Sequence, residues 1–205
     1  MRYRWFAIQL VIICVIVFIL QLASNNVLTD EFALKSATVL SEPWTLITSI
    51  FLHGSVEHLL YNMIALALFG SILEKIIGGK KFLILFFVSG IISGIGSVFF
   101  YTASIGASGA IFGVMGALAA MRPMMTIYVS FVPMPMAVAV LLWAAGDFFG
   151  LFAPDEVAHA AHLSGLVFGL IVGFSWREKH KETHVKQREP DISEEDLEEW
   201  EDRWM

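Results

Sequence analysis

The apolar positions of this chain fall into six continuous runs, unlike the one-sided stripes of soluble helices or the alternation of half-buried strands. They cover Trp5–Ala23, Val56–Leu73, Phe82–Tyr101, Ser108–Met121, Met136–Phe149 and Val157–Phe174. A helix crosses a bilayer core with about 20 apolar residues, so each run is read as a span. The fourth and fifth are short for that task, and their flanks support the reading. Arg122-Pro123 closes the fourth, and Pro133 and Pro135 confine the fifth to the residues after them. Met124 to Val132 is apolar but proline-bounded, and is predicted to rest at the interface. The first outer connection, Ala23 to Ser55, holds apolar pieces (Phe32–Leu40, Trp44–Leu52) that predict short helices lying in the outer leaflet. The expected fold is an all-α membrane protein, a six-helix bundle with a short fourth helix and a membrane-associated first outer loop.

Basic residues orient the bundle. Arg2 and Arg4, then Lys75, Lys80 and Lys81, then Arg122, then Arg177, Lys179 and Lys181 fall on alternate connections, which predicts both termini in the cytoplasm. The first run is longer than a signal-peptide core and lacks a small-x-small cleavage site, so it is expected to stay as a span. Composition changes little: 57% of the 205 residues are hydrophobic, and the net charge of −6 is misleading. From Trp176 onward six Lys/Arg face eleven Asp/Glu, so −5 of it belongs to that segment. Residues 1–176 are therefore expected to form the membrane domain. Residues 177–205 are expected to form a charged, largely disordered cytoplasmic tail, with a short helix at 193–204 opened by Ser193 and Asp196. Nothing suggests nucleic acid as a partner, and Cys14 reads as a small buried hydrophobe.

Strongly polar groups inside spans are costly and mark function by default. Here they are His58, Asn62, Ser108, Asp147, His159 and His162. Asn62 lies 13 residues before Lys75, Ser108 lies 14 before Arg122, and His162 lies 15 before Arg177. On parallel helices these three share one level, roughly 20–22 Å above the cytoplasmic edge. Small residues say which helices touch. Gly109, Gly113 and Gly116 follow Ser108, while Gly165, Gly169 and Gly173 follow His162. Packing one ridge on the other would bring imidazole to hydroxyl. A neutral histidine can take a serine's proton near neutral pH, making Ser108 the nucleophile and His162 its base. Ser108 also opens its helix, so unpaired backbone N–H groups, including that of Gly109, form a natural oxyanion hole. His58 and Asn62, four apart on one face, are side-chain donors for the same oxyanion.

These residues resemble the rhomboid family of intramembrane serine proteases. Gly106-Ala107-Ser108-Gly109 with Gly113 looks like the family's Gly-x-Ser-Gly motif, and Ala161-His162-Leu163-Ser164-Gly165 with Gly169 looks like its Ala-His-x-x-Gly-x-x-x-Gly motif. His53 through Asn62 resembles the outer edge of its second helix. The resemblance covers about Glu42 to Trp176. It implies a rhomboid-like six-span core of the prokaryotic type in the cell membrane, its site open toward the extracytoplasmic face. It also implies a serine–histidine dyad without an acid, and no cofactor, metal or nucleotide. The implied substrates are single-pass transmembrane proteins entering from the bilayer near the fifth helix. The resemblance also favours Phe112, one turn below Ser108, lying against the imidazole of His162. The family often carries Trp-Arg in the first outer loop, where Thr45 follows Trp44 here.

Blander roles are expected for the remaining polar groups. His159 is read as peripheral or water-contacting, His53 as fixing a loop, and Asp147, two residues from the outer end of its span, as solvated or capping a loop. No His-Glu-x-x-His spacing suggests zinc. The connection Gly150 to Glu156 is expected to cap the site and to open for substrate. The alternative function is a non-catalytic rhomboid-like protein that binds transmembrane clients. A transporter would show repeated halves with broken helices, which the sequence lacks.

Overall fold

The computed structural model describes residues 5–129, 131–153, 155, 157–186, 199, 202 and 203. Four of its helices are long and apolar enough to cross a membrane: Phe6–Ala23, Val56–Ile77, Gly79–Val98 and His159–Arg177. Two shorter apolar helices, Ser108–Met121 and Met136–Gly150, accompany them. In chain order the helices are α1 (Phe6–Ala23), α2 (Val27–Phe32), α3 (Thr45–Thr48), α4 (Val56–Ala65), α5 (Ser71–Ile77), α6 (Gly79–Val98), α7 (Ser108–Met121), α8 (Met136–Gly150) and α9 (His159–Lys186). A π-helical turn, Leu66–Gly70, joins α4 to α5 as one rod.

Burial separates α7 from the others. Every residue from Gly109 to Met121 except Phe112 is buried, whereas α1 exposes Ile12, Ile16, Ile19 and Leu20. A helix apolar on all sides can bury its whole surface in protein or turn part of it to lipid, and here both outcomes occur. α7 lies against α6, α8 and α9, and its closest partner is α9. Glycine makes that approach possible. A Cβ on Gly165 would run into the carbonyl oxygen of Gly109, and one on Gly169 into that of Gly113. At Gly173 it would stand 2.6 Å from the carbonyl oxygen of Ala117.

Polar groups inside the bundle tie helix ends together. Glu74, 1% exposed, accepts the backbone N–H groups of Phe6 (3.1 Å) and Ala7 (3.0 Å), so a carboxylate of α5 caps the N-terminus of α1. At the other end of α1, Gln21 brackets the backbone of His53, accepting its N–H at 3.0 Å and donating to its carbonyl at 3.2 Å.

Three segments depart from the sequence expectation of an all-α chain with a disordered tail. Thr126–Val129 (β3) and Val132–Pro135 (β4) form an antiparallel hairpin where an interfacial segment was expected. Proline lacks an N–H and so occupies strands that need no donor there; Pro133 and Pro135 sit on β4 of this two-stranded pair. In the first outer connection the short helices α2 and α3 do form, and Leu34–Lys35 (β1) pairs with Ala103–Ser104 (β2). Finally, α9 runs on to Lys186, past the expected edge at 176, through a stretch rich in Lys and Glu, which favour helix. Most of the helix expected at 193–204 lies outside the described residues.

Candidate active site

The site is assembled where the connection between α1 and α4 meets the entry to α7. Thr45 is fully buried and donates its hydroxyl to the Glu42 carbonyl at 2.7 Å, closing the turn that opens α3. The Thr48 hydroxyl donates to the Phe32 carbonyl at 2.9 Å, and β1 pairs with β2. The Gly106 N–H donates to the Ser49 carbonyl at 2.9 Å. Gly106 has φ +121°, a conformation L side chains rarely adopt, and a Cβ there would stand 2.8 Å from His58 Nε2 and 3.8 Å from Ser108 Oγ. The chain thus turns sharply into α7 with Ser108 at its head. The first α-helical bond at this end runs from Ile111 N–H to the Ala107 carbonyl. The N–H groups of Ser108, Gly109 and Ala110 therefore have no acceptor within the helix.

Ser108 Oγ lies 2.8 Å from His162 Nε2. Phe112 stacks on the imidazole, ring centroids 4.4 Å apart and planes 5° from parallel. His162 Nδ1 lies 2.9 Å from Asp147 Oδ1, so both ring nitrogens are engaged. The same Asp147 oxygen lies 2.6 Å from His159 Nδ1, and His159 Nε2 lies 3.2 Å from both carboxylate oxygens of Asp155. Two expectations are corrected here. Asp147 is 6% exposed and turned inward onto His162, and His159 is 9% exposed and buried against the same carboxylate. The rotation of α8 about its axis decides this, and an apolar run does not encode that rotation.

His58 opens α4, its N–H donating at 3.0 Å to the Ser55 hydroxyl that caps the helix. Gly54 N–H makes a long contact (3.5 Å) to His58 Nδ1, which leaves Nε2 as the hydrogen-bearing nitrogen beside Gly106. Asn62 is buried, and its amide donates to the His58 carbonyl at 2.8 Å rather than to the serine, with a second amide hydrogen still to offer. Gly109 packs on Ser93 and Gly113 on Ser89, both from α6. A cavity beside Ser108 offers about 20 Å³ to a water's centre and is lined in part by Ser49, Ser93, Ser104 and Gly106. That is room for one water among polar partners.

His53 is 2% exposed and stands edge-on to His58, ring centroids 5.1 Å apart. Burial, reinforced by the neighbouring His58, pushes its pKa down to about 4, so it is neutral near pH 7. Asp155, on the surface, is held below the usual carboxylate range chiefly by the hydrogen bond from His159. Asp147, His159 and His162 offer ligand atoms within 4.8 Å of one another, close enough to hold a metal ion. The Asp–His hydrogen bonds already account for all three groups. Sequence reading missed Glu74, Gln21 and the serines of α6. For the serines the signal existed, since Ser89, Ser93 and Ser97 recur every four residues and mark one face of a helix.

Comparison with known proteins bears on this geometry. The family model described as Rhomboid domain matches residues 40–179. The rhomboid protease GlpG of Yersinia pseudotuberculosis serotype I (strain IP32953) is 26% identical over 170 residues, which cover 82% of this chain and 61% of that protein. The rhomboid protease GluP of Bacillus subtilis (strain 168) is 30% identical over 181 residues, covering 82% of this chain and 33% of that protein. The chain thus spans about three fifths of the first relative's length and a third of the second's.

Proposed function

This chain belongs to the rhomboid family, and on that premise we propose that it is an intramembrane serine endopeptidase that hydrolyses peptide bonds in or near the transmembrane segments of other membrane proteins. The observation that carries the proposal is the 2.8 Å contact of Ser108 Oγ with His162 Nε2 at the head of a buried helix. Ser108 Oγ attacks the scissile carbonyl as its proton passes to His162 Nε2. The oxyanion that forms meets the N–H groups at the start of α7, aided by His58 Nε2–H and the free hydrogen of the Asn62 amide. His162 then gives the proton to the departing amine. The resulting acyl-enzyme is hydrolysed when His162 takes a proton from a water, which the cavity beside Ser108 can supply. Phe112 holds the imidazole plane through both steps.

All six apolar helices are read as spans, with α7 in the middle, both termini in the cytoplasm and Ser108 open to the extracytoplasmic face of the cell membrane. The alternating basic residues support that orientation. Residues 1–176 act as the catalytic membrane domain, and the charged segment beyond them lies in the cytoplasm. Transmembrane proteins are the substrates, the bilayer is the working medium, and the chemistry calls for no nucleotide, nucleic acid or metal. The test is cleavage of a detergent-solubilised single-pass substrate by purified protein, with the cut mapped by mass spectrometry. Wild type is expected to cleave and Ser108→Ala to be inert; equal cleavage by the two refutes the proposal.

A further inference from the structure

Resting on that reading, we infer that Asp147 is the positioning carboxylate of His162, so that the Ser108–His162 dyad, which the family resemblance implies to work without an acid, here has a carboxylate behind it that arrives from α8. The imidazole of His162 is held at both ends, by Asp147 Oδ1 at 2.9 Å on Nδ1 and by Ser108 Oγ at 2.8 Å on Nε2. A carboxylate accepts and an ionised one cannot donate, so the Nδ1 facing it carries the hydrogen. The lone pair of the ring is then on Nε2, where it faces the serine hydroxyl. In the opposite tautomer Nε2 would bear hydrogen and could not take the serine's proton. Asp147 thereby selects the form of His162 that acts as base, and stabilises the imidazolium that appears once the proton has moved.

The surroundings give this buried carboxylate the donors it needs. Burying an unpaired charge is costly, and Asp147, 6% exposed, has both histidines on one oxygen. His159 has a carboxylate on each ring nitrogen. Gly150 fits this arrangement: the three atoms nearest to a Cβ built there all belong to the His159 ring, with Nδ1 at 2.6 Å. Only a glycine lets the end of α8 close on the imidazole. The acid is therefore engaged while the outer end of α8 is docked on α9, and outward movement of α8 would withdraw it from the base.

The experiment measures the rate at which a fluorophosphonate probe labels Ser108 in the purified full-length protein, alongside kcat and KM on the cleaved substrate. Asp147→Asn, Asp147→Glu and His159→Gln are compared with wild type and Ser108→Ala. Asp147→Asn is expected to label and turn over roughly 10²-fold or more slowly with KM little changed. Asp147→Glu should recover part of the rate, and His159→Gln should lose far less than Asp147→Asn. A helix tether would behave otherwise, because loss of either partner would slow the enzyme alike and KM would move with kcat. The inference is overturned if Asp147→Asn labels at least as fast as Asp147→Glu, or if His159→Gln matches it. Should Asp147→Asn not fold, Asp147→Ala takes its place, and its labelling at least as fast as Asp147→Glu overturns the inference. Wild type that labels no better than Ser108→Ala would instead sink the protease reading itself.

Discussion

Replacing Gly169 by alanine adds one methyl group seven residues below His162, and the structure says what that methyl meets. Its Cβ would overlap the Gly113 carbonyl oxygen and stand 2.6 Å from the carbonyl carbon and 2.8 Å from Cα. All three neighbours are backbone, so no side chain can swing aside. Carbon atoms rest at about 3.5–4.0 Å, so α7 and α9 would have to part by roughly 1 Å. Overpacking of this kind costs about 1–3 kcal/mol. Alanine's better helix propensity offsets about 1 kcal/mol of that, leaving a net loss of about 0–2 kcal/mol. The catalytic effect should be larger than the thermodynamic one. Ser108 and His162 sit on the two helices being pushed apart, and their 2.8 Å contact has little room to stretch. A misplacement of about 1 Å can cost on the order of 10²-fold in rate. The assay is fluorophosphonate labelling of Ser108 together with thermal unfolding in the same detergent. Gly146→Ala on α8 is the internal control, because a Cβ there meets nothing within 4 Å. It should leave stability unchanged or raise it by up to about 1 kcal/mol. If Gly169→Ala melts and labels like wild type, the interlocked ridges do not set the geometry of the site, and the reasoning is wrong.

Two further outcomes test the supports around the site. Glu74→Gln replaces a charged acceptor of two backbone N–H groups with an amide that keeps one acceptor and turns an N–H toward the other; it should cost about 1–2 kcal/mol. Thermal unfolding would register that loss, while labelling of Ser108 stays near wild type. His53, with its pKa pushed down to about 4 against an ordinary 6.5, stays neutral when folded and takes a proton more readily when unfolded. The unfolded state binds more protons between those values, so the stability His53 contributes is full above pH 6.5 and falls as pH drops toward 4, by roughly 3 kcal/mol at the limit. Comparing melting of wild type and His53→Gln at pH 7.5 and 4.5 checks this: the variant should lose less on acidification, and an equal loss would refute it.

Much of the site was legible in the chain because its signals are local. A hydroxyl at a helix start, glycines every four residues and histidine 15 positions before Arg177 all follow from the rise and turn of a helix. Those features bring Ser108, His162 and Phe112 together through one helix crossing. His58 and Asn62 stand four apart near the start of α4. The Asn62 amide nevertheless turns to its own helix, a choice among rotamers that spacing does not encode.

What the sequence determined by itself is the set of apolar helices and where most of them begin and end. Each depends on residues a few positions apart, through helical rise, proline geometry and the cost of polar groups in hydrocarbon. The tertiary structure alone decided how α8 is rotated, that Glu74 reaches α1, and that β1 of the first outer connection pairs with the strand before Ser108. These facts join residues 67 or more positions apart or turn on the rotation of one helix. The rotation of α8 is the clearest case. Both its protein face and its outer face are apolar, as buried Ala139 and Val140 beside exposed Leu141 and Leu142 attest. No hydrophobic stripe therefore announces which way Asp147 points. Only packing against α9 turns that carboxylate onto His162.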